Sequence, residues 1–174
     1  MVSINKTSDK TRVAQVAGGG FSGLTAAIAL RQNGWDVVLH EKSPELRAFG
    51  AGIYLWHNGL RVLEGLGCLN EVLEDSFTPP AYETWMHNKT VSKETFNGLP
   101  WRIMTRAHLH DALANRAREV GVEIRTNSEA VGAEASGTLK LASGEVVEGD
   151  LIVGADGVGS KVRDSLGFEQ ERWG

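Results

Sequence analysis

A glycine-rich segment near the N-terminus, GGGFSG at residues 18–23, constrains the fold more than any other feature of this sequence. Residues 12–17 predict a short strand before it, and residues 24–32 predict a helix that ends at Asn33-Gly34. A second buried strand is predicted at residues 35–40. Strand, G-x-G-x-x-G turn, helix and strand form a βαβ unit, which predicts an α/β fold with a parallel sheet.

The glycines of this motif suit a loop that holds phosphate groups. Gly18 permits the tight turn from strand to helix, Gly20 lets the backbone approach a pyrophosphate, and Gly23 lets the helix pack against the strand. Phe21 and Ser22 lie between them, where a helix N-terminus offers N–H groups and a partial positive charge. All five residues are therefore candidates for cofactor binding.

An acidic residue follows the second predicted strand. Glu41 stands near the spacing of about 20 residues beyond the motif at which an acid binds the ribose of a dinucleotide. Its carboxylate can accept hydrogen bonds from both ribose hydroxyls and would repel a 2′-phosphate. The residues alone therefore predict an unphosphorylated dinucleotide, either NAD or FAD.

Composition narrows the function classes. Hydrophobic residues make up 41% and charged residues 23% of the 174, near globular averages, so a disordered or fibrous chain is a poor interpretation. The net charge of −4 without a Lys/Arg cluster argues against nucleic-acid binding. Cys68 is the single cysteine, which excludes an intramolecular disulfide, and no metal-ligand spacing is visible. Without a signal peptide or a long apolar run, we expect a soluble, cytoplasmic protein with no membrane partner.

The rest of the chain alternates helices and short strands. After a loop at residues 43–52, Asn58 is the predicted N-cap of a helix, and Thr105 is the predicted N-cap of a longer one. A hairpin is predicted from residues 82–87 and 89–96. Further strands and a last short helix are predicted at residues 122–125, 129–135, 138–141, 146–148, 151–153 and 160–166.

The order of motifs resembles the FAD-dependent aromatic-ring monooxygenases. The similarity is carried by the segments at residues 18–23, 41–42, 47, 50–53, 106 and 149–157, and it covers nearly the whole chain. The segment GDLIVGADG at residues 149–157, with Ser160 and Arg163 after it, distinguishes this family from ordinary NAD dehydrogenases. The resemblance implies a Rossmann-like FAD-binding fold, FAD as cofactor and NAD(P)H as co-substrate.

The resemblance also assigns roles to single residues. Arg47 and Arg106 would meet the FAD pyrophosphate or its ribityl chain, and Lys42, which follows Glu41 in the matched pattern, is a further cofactor-binding candidate. Ala130 would offer backbone atoms to the adenine. Asp156 would organise the approach to the flavin, a role compatible with capping a helix N-terminus.

Three segments, at residues 49–60, 82–89 and 96–102, are similar to the branch of the family that hydroxylates and opens 3-hydroxypyridine carboxylates with O2 in vitamin B6 degradation. Tyr54 and Tyr82 are the candidate residues on the substrate side, since a phenol can bond a ring nitrogen or hydroxyl. An oxygenase of 5-pyridoxate or of a 6-hydroxynicotinate-type substrate is the neighbouring alternative. A non-catalytic FAD- or NAD-binding module, or a redox sensor, is a further alternative. The absence of a cysteine pair argues against a flavin disulfide reductase.

Length affects the predicted domains. Family members continue with a second Gly-Asp segment and a strand-rich substrate domain. Residues 1–174 therefore read as the N-terminal portion of an FAD-binding domain, with residues 78–104 contributing strands to an incomplete substrate domain.

Overall fold

The computed structural model describes residues 11–48, 50–95, 98 and 100–168. Parts of the sequence predictions that fall on residues 49, 96, 97 and 99 lie outside the described residues. The described chain forms two compact units, one built from the chain up to Leu46 and from Ala117 onward, the other from Arg47–Arg116. The predicted substrate-domain segment, residues 78–104, falls within the second unit, and its assignment stays a prediction.

The described residues form eleven strands and five helices. In chain order these are β1 (Val13–Ala17), α1 (Phe21–Gln32), β2 (Asp36–His40), β3 (Gly52–Trp56), α2 (His57–Leu66), α3 (Leu69–Glu74), β4 (Tyr82–Met86), β5 (Lys89–Glu94), β6 (Trp101–Thr105), α4 (Arg106–Glu119), β7 (Glu123–Arg125), β8 (Ala130–Glu134), β9 (Thr138–Leu141), β10 (Val146–Glu148), β11 (Leu151–Gly154) and α5 (Lys161–Ser165).

A parallel sheet organises the first unit and confirms the predicted α/β fold. Its strand order is β11-β1-β2-β7, and each neighbouring pair is parallel. Helix α1 connects β1 to β2, and Leu24 and Ile28 on it are fully buried, as are Val16 and Leu39 on the strands. Because parallel neighbours end together, the carboxyl ends of β1, β2 and β11 meet at one edge of the sheet.

A second, antiparallel sheet of the first unit has the order β10-β9-β8, so the predicted strands of this region are confirmed. Leu139 and Leu141 on β9 lie in one buried cluster with Val162 of α5. Ser165 of α5 accepts a hydrogen bond from the Ala133 N–H at 2.8 Å. These contacts hold α5 against β8 and so set where the turn before α5 lies.

The second unit contains an antiparallel pair that the sequence patterns did not predict. Strands β3 and β6 pair from Gly52↔Thr105 to Trp56↔Trp101. Each has only five residues, and their pairing partners are far apart in the chain, so neither had a local signal. The predicted N-cap at Asn58 is wrong, because β3 runs directly into α2 and Trp56 takes the N-cap position.

Two other local predictions for the second unit are confirmed. The His108 N–H donates to Thr105 Oγ1 at 3.0 Å, as expected of the N-cap of α4. Strands β4 and β5 form the predicted hairpin, and His87 and Asn88 both have positive φ, 48° and 61°. Two successive left-handed residues are typical of the type I′ turn, whose twist matches that of a hairpin.

Candidate functional site

The parallel sheet brings the glycine motif and the Asp-Gly turn side by side. Ala17 at the end of β1 pairs with Gly154 at the end of β11, so Gly18 and Ala155 leave the sheet together. Gly18 has φ +103°, and a Cβ on it would lie 2.4 Å from the Ala155 carbonyl oxygen. Its N–H donates to the His40 carbonyl at 2.8 Å. Only glycine satisfies that backbone angle and that contact together.

Gly23 and Gly20 differ in the space available for a side chain. A Cβ on Gly23 would lie 1.8 Å from the Gly18 carbonyl oxygen, so the first turn of α1 packs directly on the loop. Gly20 precedes α1 with φ −77°, an angle that any residue adopts, and apart from its chain neighbours no atom lies within 4 Å of where its Cβ would stand. The protein therefore leaves open the face of Gly20 that a pyrophosphate would approach. The first turn of α1 also carries no acidic side chain to compete with a phosphate.

Glu41 is held by the backbone on both sides of its carboxylate. Its Oε2 accepts from the Gly19 N–H and its Oε1 from the Ser43 N–H, each at 2.8 Å. A Cβ on Gly19 would lie 2.4 Å from Leu46 Cδ2 and 3.0 Å from Glu41 Oε2, so both side chains would have to shift to accept it. The sequence patterns missed this role of Gly19, for which the signal is a glycine at the position between the motif glycines Gly18 and Gly20.

Asp156 organises the turn into α5. Its Oδ1 accepts from the Ser160 hydroxyl and its Oδ2 from the Val162 N–H at 3.1 Å. Ser160 in turn accepts from the Arg163 N–H at 3.0 Å as the N-cap of α5. The carboxylate thus serves the helix start, the compatible structural role considered for it, and any role toward a cofactor stays a prediction.

These elements enclose one cleft of about 250 Å³. The residues around it are Gly18, Gly19, Gly20, His40, Glu41, Lys42, Glu129, Ala130, Ala155, Asp156, Gly157, Gly159 and Lys161. Its volume is below the ~300–1,000 Å³ typical of complete small-molecule sites, so it suits a portion of a dinucleotide rather than a whole one. Predicted cofactor residues from four separate segments of the sequence therefore meet in one place.

The outer rim of the cleft carries an ion pair. Lys161 Nζ lies 2.6 Å from Glu129 Oε1, and its hydrogen bond and positive charge lower the pKa of Glu129 below its usual range. Both residues are partly exposed, so water screens the interaction. Lys42 adds a second exposed cation, which suits an anionic ligand.

His40, which the sequence patterns did not single out, lies beneath this cleft. Its Nε2 is 2.8 Å from Gln15 Oε1, so it donates there, and its Nδ1, 2.8 Å from Ser128 Oγ, accepts from the hydroxyl. The ring is only 1% exposed. Burial, and then the positive charge of Arg125, lower the pKa of His40, while Glu145 and Glu123 oppose that shift.

The lowered pKa of His40 predicts an acid-sensitive fold. The unfolded chain takes up the proton near pH 6.5, before the native state does, so the stability from neutral His40 is complete above about pH 6.5. It is lost as the pH falls through the lower folded pKa. We expect the melting temperature to fall more between about pH 7.5 and about pH 5.5 in the parent chain than in His40→Gln, measured by circular dichroism. His87→Asn, in the exposed hairpin turn, is the control and should keep the parent slope; equal slopes in all three proteins would contradict the prediction.

Four predicted site residues belong to the second unit. Arg47 is exposed and Arg106 is half-buried at the start of α4. The Arg106 N–H donates to the Ala51 carbonyl at 3.1 Å, and its side chain passes over Gly50, where a Cβ would lie 2.8 Å from Arg106 Cδ. Gly50 therefore makes room for the Arg106 side chain.

Tyr54 and Tyr82 line a hollow of about 240 Å³ in the second unit. Trp101 is buried, and Trp56 stacks on it with ring centres 5.4 Å apart and planes at 14°. Tyr54 meets Trp56 edge-on at 6.1 Å. Thr84, Ser92 and Glu94 complete the lining. Both tyrosines are about half exposed, so the hollow has aromatic walls that are partly open to solvent.

Two kinds of feature are absent from the part of the chain that the structure describes. No helix there has both the length and the apolar character needed to cross a membrane. Nor do histidine, cysteine, aspartate and glutamate side chains of the described ranges form a group of three or more that could hold a metal ion.

Comparison with known proteins places the sequence beside flavin-binding enzymes. The FAD binding domain family matches residues 10–173. The chain is 40% identical to 2-heptyl-3-hydroxy-4(1H)-quinolone synthase of Mycobacteroides abscessus, over 91% of this chain and 44% of that protein. It is 34% identical to 3-amino-4-hydroxybenzoate 2-monooxygenase of Streptomyces cremeus, over 91% of this chain and 43% of that protein. It thus spans less than half the length of these relatives.

Two solved structures are similar to this chain, one of them at much higher sequence identity than the relatives above. The tetrameric form of 2-methyl-3-hydroxypyridine-5-carboxylic acid oxygenase superposes with a TM-score of 0.92 and 79% sequence identity. The match covers 94% of this chain and 44% of that one. The crystal structure of PqsL from Pseudomonas aeruginosa in complex with 2-aminobenzoylacetate matches with a TM-score of 0.79 and 25% identity, over 95% of this chain and 48% of that one.

Proposed function

Because this chain belongs to the FAD binding domain family, we propose that it carries the FAD-binding part of a monooxygenase that uses NAD(P)H and O2 to hydroxylate a small aromatic compound. The observation that carries the proposal is the cleft in which the open face of Gly20 lies with Glu41 and Ala130. When bound, FAD supplies the redox chemistry that activates O2, and the protein supplies binding, orientation and electrostatics.

The residues present fit the ADP portion of FAD. Gly18, Gly20 and the N-terminus of α1 would hold the pyrophosphate, with Phe21 and Ser22 in the first turn. Glu41 accepts hydrogen bonds from two backbone N–H groups, and an ionised carboxylate can accept about four hydrogen bonds. Two sites therefore stay available for the hydroxyls of an adenosine ribose.

The remaining cofactor assignments follow from the same premise. The backbone of Ala130 would meet the adenine, with Lys42 at the rim of the cleft. Arg47 and Arg106 would contact the pyrophosphate or ribityl chain as fixed cations. Asp156, whose carboxylate holds the turn before α5, would keep the Asp-Gly backbone in place beside the cofactor.

For the substrate we propose a 3-hydroxypyridine carboxylate, which the whole enzyme would hydroxylate and open. The 79% identity to 2-methyl-3-hydroxypyridine-5-carboxylic acid oxygenase supports this, and the quinolone synthase is also named for a nitrogen heterocycle. Tyr54 and Tyr82 would bond the ring nitrogen or hydroxyl, while Trp56 supplies an apolar wall that excludes water. Vitamin B6 degradation would be the setting of this reaction, and the cytoplasm its location.

The experiment that tests the proposal has two stages. The purified chain, mixed with FAD and desalted, should retain a flavin absorption spectrum. The longer protein that contains it should then consume O2 when NADH or NADPH is added, and faster with a 3-hydroxypyridine carboxylate than with benzoate analogues. No retained flavin would contradict the cofactor assignment, and uptake that no hydroxypyridine accelerates would contradict the substrate.

Glu41 provides a direct test of the ribose site. In Glu41→Gln the amide NH2 must face either the Gly19 N–H or the Ser43 N–H, so one backbone donor loses its acceptor, and the ribose loses a charged partner. We expect FAD to bind about tenfold more weakly, measured by fluorescence quenching. Glu134→Gln, an exposed carboxylate outside the cleft, is the matched control. Equal affinities for both variants and the parent chain would remove Glu41 from the site.

A further inference from the structure

We propose that His40 is a positioning residue for the cofactor cleft. Through Ser128 it would hold Glu129 and Ala130, here called the adenine wall, opposite Glu41. The inference rests on the proposed function, because it concerns the same FAD site. The buried His40 contacts Ser128, Gln15 and Gly18, of which Gly18 lines the cleft and Ser128 directly precedes the lining residues Glu129 and Ala130.

The first contact is with the turn before β8. Ser128 is bonded twice to the end of β2, because its hydroxyl donates to His40 Nδ1 and its N–H donates to the Glu41 carbonyl, both at 2.8 Å. The residues directly after Ser128 are Glu129 and Ala130, which line the cleft. The pair of bonds therefore sets the distance between the adenine wall and the acidic residue of the ribose site.

The second contact fixes the ring itself. His40 Nε2 donates to Gln15 Oε1 at 2.8 Å, and Gln15 Nε2 donates to the Glu148 carbonyl at 2.9 Å. The amide of Gln15 thus has one orientation, which fixes the tautomer of His40 and leaves Nδ1 as the acceptor for Ser128. The Gln15 side chain is buried as well, so this polar chain is shielded from water.

The third contact is made by the backbone. The His40 carbonyl accepts from the Gly18 N–H at 2.8 Å, at the turn into the phosphate loop. One residue thus joins the loop that would hold the pyrophosphate to the wall that would hold the adenine. A buried histidine could also serve only the stability of the sheet, so the test must separate stability from binding.

The test measures the dissociation constant of ADP by calorimetry, since ADP is the portion of FAD that the cleft suits, together with the melting temperature of each variant. Asparagine at position 40 places an amide oxygen near Nδ1 and keeps the bond to Ser128, whereas glutamine reaches toward Gln15 and loses it. We expect His40→Gln, His40→Phe and Ser128→Ala each to bind ADP about tenfold more weakly, and His40→Asn to retain most of the parent affinity.

Leu39→Val is the control for stability. Leu39 precedes His40 on β2, faces the other side of the sheet and is fully buried, so its truncation lowers the melting temperature without touching Ser128. It should bind ADP as the parent does. ADP affinity that follows the melting temperature across all variants would overturn the inference, as would equal affinity in Ser128→Ala and the parent. Failure of the parent itself to bind ADP would instead contradict the proposed cofactor site.

Discussion

Replacing Gly20 with alanine is expected to leave the fold intact and to weaken FAD binding by about 10- to 100-fold, the equivalent of one charge-assisted hydrogen bond lost. Gly20 has an ordinary φ of −77°, and no atom other than those of its chain neighbours lies within 4 Å of the new methyl group. The methyl group would stand where the pyrophosphate must approach the backbone. The substitution should therefore weaken FAD binding without lowering the stability of the protein.

Titration of FAD into Gly20→Ala, with a urea unfolding curve for the same protein, measures both expectations. Gly65→Ala is the matched control, since Gly65 lies on α2 and no atom beyond the surrounding helix backbone lies within 4 Å of its added methyl group. It should bind FAD as the parent does and be slightly more stable, because alanine is the better helix former. Undiminished FAD affinity in Gly20→Ala would show that this face of the loop is not the phosphate site.

The same substitution at Gly23 should instead destabilise the protein. A methyl group there would lie 1.8 Å from the Gly18 carbonyl oxygen, which is backbone and cannot rotate away. The first turn of α1 must shift, and we expect the free energy of unfolding to fall by about 2–3 kcal/mol despite the gain in helix propensity. Overpacking at a backbone contact is the physical cause.

Chemical denaturation of Gly23→Ala beside Gly20→Ala provides the comparison, since both add one methyl group within a few residues. Only Gly23→Ala should lower the urea midpoint. If the two variants unfold alike, the close packing of α1 on the loop does not hold in solution. FAD binding in Gly23→Ala should also weaken, because the shifted helix moves its N-terminus.

Local signals predicted much of this fold. The buried strands and the glycine turn need only neighbours in the chain, and the predicted βαβ unit is confirmed by β1, α1 and β2. The N-cap at Thr105 and the hairpin turn at His87-Asn88 are also local, because a cap needs an oxygen within three residues and a type I′ turn needs two left-handed residues.

Local signals could not predict the pairing of strands that are remote in the chain. Strands β3 and β6 are held by each other, about fifty residues apart, and each alone is too short to have a distinct periodicity. No local pattern marks Trp56, which ends β3 and also precedes α2, so the sequence predicts the N-cap at Asn58 instead. The sequence was uninformative there because the stabilising partner is remote.

By itself the sequence determined the class of the fold, the glycine loop and the acid at the end of the second strand, because backbone angle, charge and spacing are local properties. Only the tertiary structure decided which residues share the cleft. The parallel pairing of β1 with β11 places Gly18 against Ala155, and the bonds of His40 to Gln15 and Ser128 join three segments that no spacing connects. Those contacts depend on packing across the sheet, and packing partners are not encoded by distance along the chain.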